Sequence, residues 1–154
     1  MQTAASEHES PAPGRDLDEV APGVHVATAE IWSSLCTVVV ATDGSCLVVD
    51  PGITADEIDG LARTIDDRGW RVAAGLSTHH HWDHVLWRAL LGGAPRWASP
   101  ATVAAARRSR EHNETEADAA APGHDHSLTG HLTALPVPDV ATTPRCRGTV
   151  PERS

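Results

Sequence analysis

The chain has 154 residues, 12 basic and 21 acidic, and a formal net charge of −9 with His counted neutral. That length sets one domain as the prior, and the acidic balance disfavours a binder of nucleic-acid backbone, which needs a basic face. No apolar run reaches the roughly 18 residues of a membrane span, so neither nucleic acid nor membrane is expected as a partner.

All 12 basic residues are Arg, and the aromatic residues are five tryptophans without Phe or Tyr. The core must therefore be built from Ala, Val, Leu and Ile. Cys36, Cys46 and Cys146 are too few and too scattered for a disulfide scaffold. The N-terminal segment lacks a basic start followed by an apolar stretch, which argues against a secretory signal. The expectation is a cytoplasmic chain.

Residues 1–14 are small, polar and Pro-bearing and read as a disordered arm. Val24 and Val26 alternate around His25 in a leading strand. Residues 35–41 and 46–49 form two β-branched runs around Asp43-Gly44, a strong hairpin signal. Their near-continuous Val content predicts strands buried on both faces.

Asp50-Pro51-Gly52 ends the second run. Thr54 and Glu57 have capping-box spacing, and Ile58, Leu61, Ala62 and Ile65 follow as one apolar stripe. Gly69 falls where a helix stops. Residues 71–77 read as the next strand, so strand, helix and strand imply a parallel pair. Residues 85–91 read as a short helix and 96–98 as a short strand. Ser99-Pro100 starts a further helix through Arg110. Residues 15–112 then form the patterned part, and 113–154 an irregular tail whose acidic, Ala-rich start, 113–121, either extends the helix or frays.

The sharpest signal is Ser77-Thr78-His79-His80-His81-Trp82-Asp83-His84. In an extended segment residues 79, 81 and 83 share one side, so His79 and His81 can grip one ion. If a helix begins near 83, Asp83 and His84 turn toward a second. Imidazole nitrogen and carboxylate oxygen suit Zn²⁺, with Mn²⁺ or Fe²⁺ as alternatives. His80 and Trp82 fall on the other side and read as packing residues. Asp50 reads either as a support behind the site or as a cap on local amides. His124, His126 and His131 read as loop residues, and His8, His25 and His112 as surface or strand residues.

His79-x-His81-x-Asp83-His84, preceded by Ser-Thr after a strand, resembles the metal-binding signature of the metallo-β-lactamase-fold hydrolases. The strand at 24–26, the hairpin ending in Asp50-Pro-Gly52 and the following helix and strand agree with it, over roughly residues 18–112. The resemblance implies an α/β fold, the first half of an αβ/βα sandwich. It implies that His79 and His81 ligate a first metal and Asp83 and His84 a second. Asp83 would also act on the attacking water as the catalytic residue. The implied activity is hydrolysis of a small-molecule ester, thioester or lactone by metal-activated water. The second half's Gly-His-x-Pro-Gly-like turn and bridging Asp are not found, so the chain reads as a truncated half, inactive alone or completed by a homodimer or a complementing chain. The alternative readings are a non-catalytic metal-binding or interaction module, and an α/β domain with an incidental His cluster.

Overall fold

The computed structural model describes residues 13–137. The arm read over 1–14 lies almost wholly outside them, as does the tail from 138 onward. Seven strands form one mixed sheet in the order in which they occur along the chain. Strands β1 (Asp18–Ala21), β2 (Val24–Thr28), β3 (Leu35–Val40) and β4 (Ser45–Val49) are antiparallel neighbours. The hairpin between β3 and β4 turns at Gly44, whose φ is 79°. Asp43 Oδ1 accepts from the Ser45 amide at 2.9 Å, so the Asp-Gly pair serves this turn by side-chain bonding and by left-handed backbone.

Helix α1 (Ala55–Asp67) crosses over to β5 (Arg71–Leu76), which pairs parallel with β4. Its capping box is complete, with Thr54 and Glu57 bonded reciprocally. Strands β6 (Arg96–Ala98) and β7 (Thr133–Ala134) extend the parallel part. Helices α2 (Pro100–Arg108) and α3 (Arg110–Ala120) lie between them. Ser99 caps α2 by accepting from the Thr102 amide.

One face of the sheet is fully packed. Cys36, Val38, Cys46 and Val48 meet Ile58, Leu61 and Ile65 of α1 together with Trp82, Leu86 and Trp87. Gly75 of β5 lies directly under Trp87: a Cβ there would stand 2.6 Å from the indole ring. The other face is apolar but thinly covered. Leu35 and Val39 are 55% and 40% exposed, and Val26, Val49, Leu76 and Trp97 are half-buried. The valine runs therefore pack deeply on one face only among the described residues, where the sequence predicts both.

Two further expectations change. Residues 85–91 form no continuous helix. A 3-10 turn at Trp82–His84 is followed by an extended stretch and a second turn at Ala89–Leu91. The reason is packing in two directions. Val85 joins a small cluster with Ala98, Val103, Ala106 and Leu132, while Leu86 and Trp87 enter the main core.

The chain beyond 112 is also structured. Helix α3 runs to Ala120 and buries Asn113 and Ala117, and β7 closes the sheet edge.

Glu57 ties the loops at this end together. Its carboxylate accepts from the amides of Glu30, Ile53 and Thr54 and lies 3.8 Å from the Arg15 guanidinium. Arg15 in turn donates to the Pro51 carbonyl at 2.8 Å. The loop after β4 and the loop between β2 and β3 are thus fixed to the start of α1.

Candidate metal centre

The His-rich segment leaves β5 at the end where β4 delivers Asp50. Asp50 has φ 47°, a left-handed conformation that L residues seldom adopt. Its hydrogen bonds hold it there. Oδ1 accepts from the Thr78 amide at 3.0 Å, and Oδ2 accepts from Thr78 Oγ1 at 2.6 Å. Oδ2 also meets His84 Nδ1 at 2.8 Å. The sequence left Asp50 open between capping an amide and supporting the cluster. The fold has it contacting both the Thr78 amide and His84.

These bonds orient two imidazoles. The Thr78 hydroxyl spends its hydrogen on Asp50, so at 3.1 Å from His79 Nδ1 it accepts. His79 then carries its proton on Nδ1 and keeps Nε2 free. His84 likewise donates from Nδ1 to Asp50 and turns Nε2 toward Asp83 Oδ2, 3.1 Å away. One buried carboxylate therefore sets both rings, directly for His84 and through Thr78 for His79. Carboxylate-anchored imidazole is the usual support for a metal-ligating His.

The rings stand together. His79 lies 3.9 Å from His84 and 4.8 Å from His81, centroid to centroid. Burial, and after it the neighbouring His84 and His81, hold the His79 pKa below its ordinary value. His84 goes the other way: burial pulls it down, but Asp50 and Asp83 outweigh that and hold it above the ordinary imidazole value. Among the described residues no three His, Cys, Asp or Glu side chains are spaced to close on one ion. The His79 ring is nearer to His84 than to His81, and Asp83 is joined to the group through His84. The chemistry of these donors fits a divalent cation, with oriented Nε2 atoms and a carboxylate at one edge of the sheet.

The alternation does not separate His80 from this group, since its ring lies 4.9 Å from that of His81, centroid to centroid. The His80 carbonyl accepts from Asn113 Nδ2 at 2.8 Å, which ties the segment to α3, and Trp82 is buried in the core. Trp87 packs beneath, its Nε1 donating to the Gly92 carbonyl.

His124 is buried rather than part of a polar loop. Its Nε2 bonds the Ile53 carbonyl at 2.8 Å, and burial lowers its pKa. His126 pairs with Asp118 and His131 with Arg110. His25 is buried against Trp70. Sequence reasoning did not find Thr78 and Asn113. Both act through folded contacts of more than 25 residues' separation, for which local spacing carries no signal.

A cleft of about 380 Å³ opens beside His81 and Asp83. Its walls are the exposed Trp32 of the loop between β2 and β3, set edge-on to Trp82 at 5.4 Å, and His112 and Glu116 of α3.

Comparison with known proteins places the fold and the family. Hydroxyacylglutathione hydrolase of Buchnera aphidicola subsp. Acyrthosiphon pisum is 38% identical over 47 residues, 30% of this chain and 17% of the relative. The protein of the same name from Cronobacter sakazakii is 43% identical over 42 residues, 27% of this chain and 15% of the relative. The DIM-1 metallo-beta-lactamase exposed to ceftazidime superposes with a TM-score of 0.55 at 17% identity, over 66% of this chain and 50% of that one. A second DIM-1 structure gives 0.54 at 19%, over 64% and 48%. The chain thus spans about half the length of these solved structures and less than a fifth of the curated relatives. The model of the Metallo-beta-lactamase superfamily matches residues 30–125, past the end of the patterned part of the sequence and through α3. The chain belongs to the metallo-beta-lactamase superfamily.

Proposed function

We propose that the chain carries the first half of a metal-dependent hydrolase centre. His79 and His81 would hold one divalent cation and Asp83 and His84 a second. Zinc is the proposed metal, given three imidazoles and a carboxylate. The observation that carries the reading is the Asp50 carboxylate, which commits Nδ1 of both His79 and His84, so that His79 keeps Nε2 free and His84 directs Nε2 at Asp83 Oδ2.

A bound metal would polarise the scissile carbonyl and make water a nucleophile near neutral pH. Asp83 is the group placed to orient that water and take its proton. Its carboxylate stands beside His84 Nε2 and borders the cleft. The proposed substrate is a small ester, thioester or lactone. The thioester is favoured by the local likeness to hydroxyacylglutathione hydrolases. Each pair falls short of the three protein ligands a catalytic zinc takes. The remaining ligands would come from a second copy or a complementing chain.

That shortfall also supports a second reading, a metal-binding module without turnover. Metal stoichiometry and thioester hydrolysis, measured on the same sample, separate the two. The enzyme reading expects zinc-dependent turnover that falls by about 10²–10⁴-fold in Asp83→Ala, the range for losing a general base. Tight zinc binding lost in His81→Ala, with no turnover in any variant, would support the module.

A further inference from the structure

Trp32 and Glu116 border the cleft beside His81 and Asp83 and have no part in the proposed metal chemistry. Trp32 is 63% exposed, and its backbone is held at φ 61° in a tight loop. The Ala29 amide bonds the Ser34 carbonyl across that loop, and the Glu30 amide is pinned to buried Glu57. An exposed indole is therefore displayed on a fixed support at the mouth of the cleft. The same cleft is lined by Glu116 of α3. No arginine pairs with Glu116 among the described residues, although other acids of this fold, Asp59 and Glu114, are paired. None of the residues lining the cleft is Arg, and the chain has no Lys.

An aromatic face with an unpaired carboxylate, lined otherwise by His80, His81 and His112 but by no arginine or lysine, favours an organic cation over an anion above the imidazole pKa range. The indole quadrupole and the carboxylate act in the same direction. We propose that this cleft is a subsite for an ammonium group, so that the substrate is an ester or thioester whose non-reacting portion is a cationic amine. Trp32 supplies the face and Glu116 the countercharge. The inference rests on the hydrolase reading only for the statement that the bound cation is part of a substrate.

Calorimetric titration of the full chain tests it, with chelator present and no turnover involved. The probes are benzyltrimethylammonium and phenylacetate, similar in size and opposite in charge. Saturable binding of the cation is expected, with little heat from the anion. Glu116→Gln, a near-isosteric change on an exposed helix position, should raise the cation Kd by about tenfold. Trp32→Ala should do the same and Trp32→Phe should restore most of it. Binding of phenylacetate as tight as the cation, or a cation Kd unchanged in Glu116→Gln, would overturn the proposal. Loss of thioester turnover with cation binding intact would count against the hydrolase and leave the subsite standing.

Discussion

Asp50→Ala should weaken zinc binding by about 10–100-fold, the range for loss of a carboxylate that orients a ligating His. The effect is large because one residue serves two imidazoles. Without it His84 Nδ1 loses its 2.8 Å acceptor, and Thr78 Oγ1 loses the bond that makes it an acceptor for His79. Both rings then gain access to the other tautomer and to rotation. The amide of Thr78 also loses its partner, so the segment leaving β5 loosens at its root. Competition against a chromophoric chelator reads the affinity. Asp43→Ala, on the exposed hairpin at the far end of β4, is the control and should leave it unchanged. Equal affinity in Asp50→Ala and the parent chain would remove the orienting role.

Glu57→Ala should lower stability by about 3 kcal/mol or more. It strands three backbone donors now satisfied by one buried carboxylate and removes the countercharge 3.8 Å from the Arg15 guanidinium. Those donors belong to the loops that hold Asp50 and Trp32, so the site should loosen along with the fold. Acid dependence gives a second readout. Burial is the largest single influence on Glu57 and raises its pKa. The amides of Thr54, Glu30 and Ile53, with Arg15, together outweigh it and hold the pKa below the ordinary value of 4.5. A carboxyl lowered in the folded state contributes stability above its unfolded pKa and loses it as pH falls through the folded value. Urea unfolding followed below about pH 4.5 should show this loss in the parent chain and a weaker loss in Glu57→Gln. Parallel pH profiles for the two would contradict the assignment.

Local rules made much of this legible. The capping box at Thr54 and Glu57, the Asp-Gly hairpin, the parallel crossover and the Ser99-Pro100 start depend on neighbours a few residues apart, and all are found. The His cluster was legible as a set of donors because its alternation is itself local. What sequence did not carry is long-range. Helix α3 buries only Asn113 and Ala117, too thin a stripe for an apolar period to register in an acidic, Ala-rich segment. His124 is held by the carbonyl of Ile53, 71 positions earlier. Residues 85–87 suggested a helix because they are apolar, but they divide between two clusters. The thinly covered sheet face reads from sequence as buried, since its composition is that of a packed face. No described helix is long and apolar enough to cross a bilayer.

The central claim is that His79, His81, Asp83 and His84 hold a divalent metal by Nε2 and carboxylate donors oriented from Asp50. X-ray absorption at the zinc edge of the loaded full chain tests it most directly. The account predicts imidazole scattering with Zn–N near about 2.0–2.1 Å, lost together with the bound metal in the double substitution His79→Ala, His81→Ala. Zinc retained by that double variant with an unchanged spectrum would contradict it.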